Sequence, residues 1–362
     1  MHRCLGISVY PDQTSLEDTI SYVQMAHKYG FTRVFTCLIS VTEGEGHLED
    51  FKAVVKAASD LGMMVIADVS PHVFEELGIE YTDLQFFKDM GLSGIRLDLG
   101  FSGNEESFMT FNDQDLMIEI NMSNGTKYLE NILSYKPNVQ RLIGCHNFYP
   151  HKYTGLSRKH FLECSKQFKS QGIRTAAFVD ATSANFGPWP VREGLCTLEA
   201  HRGMAIETQA KDLFNTGFID DVIVANAFAS EDQLKSLGSL NPYMLSLKVE
   251  LHEETPELME KIVADEAHFN RGDVSEYMIR STQSRVKYKD EHFEAFNTPD
   301  IKRGDILIES SLYARYAGEL QIALKDMKNS GRTNVVGHVC ESEHYLLDQI
   351  EPWQKFKFDL TK

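Results

Sequence analysis

Residues 63–121 contain three short apolar runs, Met63-Met-Val-Ile-Ala-Asp68, Gly94-Ile-Arg-Leu-Asp98 and Met117-Ile-Glu-Ile-Asn121. Each run is bounded by turn-forming residues and ends on an acidic or amide side chain. Short apolar runs of this kind predict buried β-strands, and amphipathic stretches of helical period between such runs predict βαβ units. This part of the chain therefore predicts a parallel sheet with polar groups at the carboxyl ends of its strands.

Runs of the same type extend this pattern in both directions along the chain. Five more occur, at residues 4–10, 33–38, 141–145, 174–179 and 221–225. Amphipathic stretches lie between most of them, for example at residues 15–29, 48–61, 157–171 and 198–215. Glycines at helix C-caps fit the same spacing, at Gly30, Gly62, Gly91 and Gly172. Eight βα units over about 235 residues are typical of a TIM (β/α)8 barrel.

An open, doubly wound α/β sheet is the alternative architecture. Such sheets usually carry a glycine-rich phosphate-binding turn after the first strand. The turn here is Tyr10-Pro-Asp-Gln-Thr-Ser15, which contains no glycine. The closed barrel is therefore the preferred prediction.

The sequence pattern changes after Ser236. A linker-like stretch, Leu237-Gly-Ser-Leu-Asn-Pro242, precedes runs whose apolar residues alternate with period two. These runs lie at residues 244–251, 275–281, 304–308, 318–323 and 334–339. We predict a barrel domain over residues 1–238 and a second, all-β domain, a small barrel, over residues 239–362.

Charge and cysteine content restrict the classes of partner. The 362 residues include 36 Lys and Arg against 53 Asp and Glu, a formal net charge of −17. This charge disfavours nucleic acid and anionic membranes as partners. The N-terminus does not resemble a signal peptide, and the six cysteines form no CxxC pair. We expect a cytoplasmic protein with reduced thiols and no cofactor; the sequence is compatible with a homodimer.

The active site of a TIM barrel lies at the carboxyl ends of its strands. The side chains predicted there are Tyr10, Glu43, Asp68, Asp98, Glu119, Asn121, His146, Asn147, Asp180 and Asn226. Strands three to five are neighbours, so we expect Asp68, Asp98 and Glu119 on one side of the barrel mouth. Three carboxylates repel one another, which calls for a raised pKa or a cation, and Arg96 is the candidate cation. Capping of the following helix is the structural alternative for each acid.

The loops after strands six and seven are rich in rings and hydrogen-bonding groups. His146, Asn147, Tyr149 and Trp189 belong to them, and such side chains suit a carbohydrate ligand. Packing of the loops onto the barrel is the alternative for the rings. His146, His151 and Asp180 lack the spacing of a metal site, so we predict no metal. None of the eight runs contains a lysine, which disfavours Schiff-base chemistry.

A basic cluster occurs in the second domain. Arg280 and Arg285, with Ser281 and Ser284, could bind a phosphate or carboxylate. Pairing of these arginines with nearby acids such as Asp273 is the alternative.

Several longer motifs resemble the bacterial 6-phospho-N-acetylmuramidase family over nearly the whole chain. Among them are Gly6-Ile-Ser-Val-Tyr-Pro11, Ile118-Glu-Ile-Asn-Met-Ser-Asn124, Gly144-Cys-His-Asn-Phe-Tyr-Pro150 and Arg280-Ser-Thr-Gln-Ser-Arg285. The resemblance implies a TIM barrel followed by a small cyclophilin-like β-barrel. It also implies cytoplasmic hydrolysis of the β-1,4 bond in a phosphorylated muramyl-glucosamine disaccharide during peptidoglycan recycling.

Together these features predict a glycosidase that acts on a 6-phosphorylated amino sugar. Strand position favours Glu119 as general acid, with Asp98 or Asp68 as base, nucleophile or orienting group. We expect Arg280 and Arg285 to hold the phosphate or lactyl carboxylate, with the site between the domains. The remaining candidates would line the sugar site, namely Tyr10, Glu43, Asn121, His146, Asn147, Tyr149, Asp180 and Trp189. A phosphosugar isomerase that uses Glu119 with His146, and a non-enzymatic sugar-binding surface protein, are the alternatives.

Overall fold

The computed structural model describes residues 2–38, 47–189, 191 and 193–361. The chain divides into two compact units, Met1–Leu240 and Asn241–Lys362. Each unit has its own apolar core.

The first unit is a closed barrel of eight parallel strands in sequential order. The strands are β1 (Cys4–Ser8), β2 (Arg33–Cys37), β3 (Met64–Val69), β4 (Gly94–Leu97), β5 (Met117–Asn121), β6 (Leu142–Cys145), β7 (Arg174–Val179) and β8 (Asp221–Val224). β8 pairs in parallel with β1, which closes the sheet. All eight predicted strands are therefore present, and the TIM-barrel prediction is confirmed.

Helices follow most of the barrel strands. They are α1 (Leu16–Lys28), α2 (His47–Asp60), α3 (Pro71–Leu77), α4 (Gln85–Asp89), α5 (Asn104–Met109), α6 (Tyr128–Ser134), α7 (Arg158–Ser170), α8 (Ile206–Asn215) and α9 (Glu231–Gly238). Ser15 and Ser157 cap α1 and α7 by accepting a hydrogen bond from a first-turn amide. Gly30 and Gly172, which follow these helices, have positive φ angles of 86° and 72°, so a glycine suits these turns.

The second unit is built on a seven-stranded mixed sheet. Its strands are β9 (Leu245–Leu251), β10 (His268–Phe269), β11 (Met278–Ser281), β12 (Asp305–Glu309), β13 (Leu320–Ala323), β14 (Thr333–Val339) and β15 (Lys355–Leu360). Their order in the sheet is β10-β15-β9-β14-β12-β13-β11, and the β15–β9 pair is parallel. The amide of Arg271, just after β10, donates to the carbonyl of Arg280 in β11 at 3.0 Å. The sheet is therefore nearly closed.

The prediction of an all-β second domain is wrong in one respect. The unit also contains α10 (Glu257–Asp265), α11 (Gln283–Lys287) and α12 (His344–Leu347). α10 buries Met259, Ile262 and Val263, at helical spacing, in the same core as Phe356 of β15. The search for period-two alternation missed this helix because its apolar face has a period near 3.6.

Candidate active site

Arg96 in β4 organises the acidic group at the carboxyl ends of the strands. Its Nη1 donates to Asp68 Oδ1 at 2.8 Å, and its Nη2 lies 3.1 Å from Asp98 Oδ1. The arginine is 3 % exposed, whereas the side chains of Asp68 and Asp98 are 14 % and 37 % exposed. The predicted cation is thus present, and it binds two of the three predicted carboxylates.

Two carboxylates share this one buried guanidinium. Burial raises the pKa of Asp68 to about 6; Arg96 opposes the increase, and the charges of Asp98 and Glu119 add to it. Asp68 can therefore hold a proton at near-neutral pH. A protonated carboxyl next to a more exposed carboxylate is the pair that acid/base chemistry needs.

Neutral polar groups extend the Arg96 cluster toward β5 and β6. Asn121 Nδ2 donates to Asp98 Oδ1 at 3.2 Å, and Arg96 Nη2 donates to Asn147 Oδ1. Tyr149 is partly buried, which raises the pKa of its phenol, and it lies within electrostatic range of Asp98. We call Asp68, Arg96, Asp98, Asn121 and Asn147 the Arg96 cluster. The structure therefore brings together four of the predicted site residues, with Tyr149 beside them.

The prediction that Glu119 lies at the barrel mouth is wrong. Its side chain is fully buried, and Oε2 accepts from Nη2 of Arg33, the first residue of β2. Arg33 also donates to Asp221 at 2.7 Å, and Asp221 is bound by Arg174 as well. We call Arg33, Glu119, Asp221 and Arg174 the Arg33 cluster. Arg33 is buried at the start of β2 and therefore requires a buried anion. The carboxylate of Glu119 is one such anion.

Sequence reasoning did not find Arg33. The available signal was a charged residue that opens a strand predicted to be buried. All five residues of β2 are buried, so a guanidinium there must be paired inside the barrel. That signal predicts a buried ion pair but does not identify its partner.

His146 has a structural role within the barrel wall. Its Nε2 lies 2.8 Å from Ser165 Oγ, and that hydroxyl donates to the carbonyl of Phe161, so Nε2 carries the hydrogen. Its Nδ1 then accepts from Ser123 Oγ at 3.2 Å. Burial lowers the pKa of His146 to about 3. A fully buried neutral imidazole bonded on both sides does not fit the acid/base pair of the isomerase alternative.

Two other predicted residues bind backbone groups at the carboxyl ends of β7 and β8. The hydroxyl of Tyr10 is fully buried and donates to the carbonyl of Ala225 at 2.6 Å. Asn226 bonds both the amide and the carbonyl of Ala181 at 2.8 Å. These contacts stabilise the ends of the strands, and neither side chain belongs to the Arg96 cluster.

The last three predicted residues of the barrel unit have different surroundings. Asp180 is 3 % exposed, and its carboxylate accepts from the amide of Leu195 at 2.8 Å; burial raises its pKa. Trp189 is half exposed. Glu43 lies outside the residues that the structure describes.

Arg202 holds the loop that carries Tyr149. Its guanidinium binds Glu199 at 2.8 Å and donates to the carbonyl of Tyr149 at 3.1 Å. Glu199 in turn accepts from the amides of Tyr153 and Gly155, each at 2.8 Å. These contacts and Arg202 lower the pKa of Glu199 to about 2. A charged pair therefore fixes the backbone of the loop after β6.

In the second unit, Arg280 and Arg285 share one acid. Arg280 Nε donates to Glu319 Oε1 at 2.8 Å, and Arg285 Nη1 lies 3.1 Å from Glu319 Oε2. Glu319 is fully buried. Both guanidinium groups also lie over the ring of Tyr316, at 5.5 and 5.3 Å. The expected pairing with an acid thus occurs, with Glu319 as partner, and a second acid, Glu309, lies within electrostatic range of Arg280 and Glu319.

The described part of the chain contains no group of three or more His, Cys, Asp or Glu placed to hold a metal ion. Within the same residues, no helix has the length and apolar content needed to span a membrane. The six cysteines are free thiols.

Comparisons with known proteins agree with this architecture. A B. cereus protein described as uncharacterized is 47% identical, with a TM-score of 0.91 over 99% of this chain and 100% of that one. A conserved Enterococcus faecalis protein of unknown function is 24% identical, with a TM-score of 0.72 over 99% and 96% of the two chains, and shares the fold. No protein of curated function matches significantly. Models of the N-terminal and C-terminal parts of 6-phospho-N-acetylmuramidase match residues 5–239 and 245–359. The chain therefore belongs to the 6-phospho-N-acetylmuramidase family.

Proposed function

We propose that the protein hydrolyses the β-1,4 bond of 6-phospho-N-acetylmuramyl-N-acetylglucosamine, with Asp68 and Asp98 at the reacting centre. The main support is the Arg96 cluster, in which two carboxyl groups of different exposure share one guanidinium. Glycoside hydrolysis requires a carboxylic acid that protonates the leaving oxygen and a second carboxylate. Membership of the family indicates the class of reaction.

We assign the roles of the two carboxyl groups from their exposure and pKa. Asp68 is the less exposed, and its pKa of about 6 leaves it about half protonated at pH 6 and more so below, which suits the general acid. Asp98 is the more exposed, and it acts as base, nucleophile or orienting group for the substrate's acetamido group. Asn121 and Arg96 hold its Oδ1 and thereby set its orientation. This assignment replaces Glu119, whose side chain is buried against Arg33.

Other predicted residues would bind the substrate. Asn147, Tyr149 and Trp189 supply hydrogen bonds and ring faces for the sugar. In the second unit, Arg280 and Arg285 bind the phosphate or the lactyl carboxylate, since arginine suits both anions. We further propose that this unit is cyclophilin-like and that the enzyme acts in the cytoplasm during peptidoglycan recycling, where free thiols persist.

A turnover assay tests this function. The purified chain is incubated with the phosphorylated disaccharide, and mass spectrometry follows release of N-acetylglucosamine. We expect release from the phosphorylated disaccharide and much less from its dephosphorylated form. A product of unchanged mass would instead indicate an isomerase, and no reaction at all would contradict the proposal.

A further inference from the structure

A cavity of about 570 Å³ lies in the second unit, and Arg285 is the one lining residue that the proposed function also uses. Its lining residues are Phe269, Arg271, Gly272, Asp273, Thr282, Arg285 and Trp353. Its volume falls in the range of small-molecule sites. Only Arg285 among these residues was a candidate from the sequence.

The indole of Trp353 forms one wall of this cavity. It is 62 % exposed, and its ring stacks on Phe269 with 5.7 Å between the centroids and 25° between the planes. A side chain on Gly272 would meet the indole, because an added Cβ there would lie 2.6 Å from Nε1. A large ring that is held in place and still open to solvent is suited to stacking on a ligand.

The backbone also holds this ring in position. Trp353 has a φ angle of 65°, in the left-handed region that a bulky residue rarely adopts. Its amide donates to the carbonyl of Asn270 at 2.8 Å. A strained, hydrogen-bonded turn therefore presents the indole next to β10.

Charged groups beside the indole favour an anion. Arg271 binds Asp273 through two hydrogen bonds of 2.6 Å, so this pair is neutral. Arg285 is 28 % exposed and shares Glu319 with Arg280, so part of its guanidinium remains accessible beside the indole. A partly exposed guanidinium in a chain of net charge −17 suits one small anion and disfavours a polyanion.

We propose that this cavity binds an anionic pyranose, with the sugar face on Trp353 and the phosphate or carboxylate on Arg285. The apolar C–H face of a pyranose packs on an aromatic ring, and the guanidinium fork binds the anion. Thr282 supplies a hydroxyl for the sugar. The identity of the sugar, a muramic acid 6-phosphate, rests on the proposed function, whereas the binding site rests on the second unit alone.

Trp353 itself provides the test. The chain has two tryptophans, so in Trp189→Phe protein Trp353 is the sole indole. The full-length variant is titrated with N-acetylmuramic acid 6-phosphate while its fluorescence is recorded. We expect a saturable change, with affinity about tenfold weaker for neutral N-acetylglucosamine and about tenfold weaker when Arg285→Gln is added. Leu312→Ala, an exposed apolar residue of the same unit, is the control and should leave the affinity unchanged.

A second variant removes the ring without changing the turn. Trp353→Asn keeps a residue that tolerates positive φ, and calorimetry should show loss of the binding that Arg285→Gln also weakens. Absence of a saturable signal, or equal affinity for the neutral sugar, would overturn the binding site. Disaccharide turnover is measured separately on the unsubstituted chain, because Trp189 belongs to the proposed sugar site. Turnover without a Trp353 response would refute only the cavity, whereas a Trp353 response without turnover would refute only the proposed function.

Discussion

Arg33 and Arg96 of the barrel each bind two carboxylates, but the two groups differ in exposure. Arg33 binds Glu119 and Asp221, and all three side chains are at most 1 % exposed. Arg96 binds Asp68 and Asp98, which are 14 % and 37 % exposed. In the Arg33 cluster, Arg174 supplies a second cation, so the charges balance. In the Arg96 cluster, one guanidinium faces two acids.

In the proposed function, this difference separates a structural group, the Arg33 cluster, from a reactive one, the Arg96 cluster. The Arg33, Glu119 and Asp221 side chains are buried and paired with one another, and Arg174, 22 % exposed, balances their charge, so Glu119 is held away from a substrate. In the Arg96 cluster, the excess of acid over base contributes to the raised pKa of Asp68, and Asp98 remains accessible to a substrate. Chemistry is therefore expected at the Arg96 cluster and loss of stability at the Arg33 cluster.

The largest expected effect is on turnover. Asp68→Asn and Asp98→Asn should each lower kcat by about 10²–10⁴-fold, because each removes a carboxyl that the proposed function places at the reacting centre. Release of N-acetylglucosamine measures the effect. Asp113→Asn, an exposed acid, serves as the matched control and should retain activity. Near-normal turnover in both cluster variants would remove these residues from the mechanism.

Breaking the Arg33 cluster should mainly affect folding. Arg33→Met leaves Glu119 without its cation in the barrel interior and should lower the free energy of unfolding by about 3–5 kcal/mol. Urea denaturation measures this loss. The control Lys56→Met removes an exposed ion pair with Asp60 and should change the free energy of unfolding by less than about 1 kcal/mol. Equal stability of the two variants would show that Arg33 is not structurally important.

The pH profile tests the role of Asp68. A general acid must be protonated, so kcat/KM should fall as the pH rises above about 6, by about tenfold per pH unit. The charge of Asp98 raises this pKa, so residual activity of Asp98→Asn should decline at a lower pH. A profile that stays flat from pH 5 to 8 would assign the acid to another group.

The smallest effect concerns a neighbour of the Arg96 cluster. Tyr149→Phe keeps the ring and removes the hydroxyl, so KM for the disaccharide should rise about threefold to tenfold through one lost hydrogen bond. Steady-state kinetics measures both constants, and we expect the rise in KM with little change in kcat. Tyr153→Phe, an exposed tyrosine of the same loop, provides the comparison. A larger decrease in kcat than in affinity would place the Tyr149 hydroxyl at the reacting atoms.

Much of the fold could be predicted from the sequence because it depends on local patterns. Buried parallel strands appear as apolar runs, and β5 and β7 have the predicted bounds, Met117–Asn121 and Arg174–Val179. Helix α10 was missed because period-two alternation was expected throughout the second unit. Strands β10 and β15 were also missed; β10 has only two residues, too few to show a pattern.

The site was predictable only in part. Asp68, Asp98, Asn121 and Asn147 follow from strand order, since the ends of neighbouring parallel strands meet. Strand order does not show whether a side chain lies at the carboxyl end of the barrel or pairs with a group deeper in its interior. Glu119 lies in β5 next to Arg96 in register, yet it pairs with Arg33 across the interior. Trp353 and Arg285 line the same cavity although they are distant in sequence.

The sequence by itself determined the barrel, because its strands and helices depend on short-range periodicity, and it placed polar residues at the strand ends. Only the tertiary structure decided which carboxylate is available for chemistry. The outcome depends on which side chains lie next to one another in the closed barrel, because a buried charge is stable only beside an opposite one. Glu119 is buried in an ion pair with Arg33, whereas Asp68 and Asp98 share Arg96 and remain accessible.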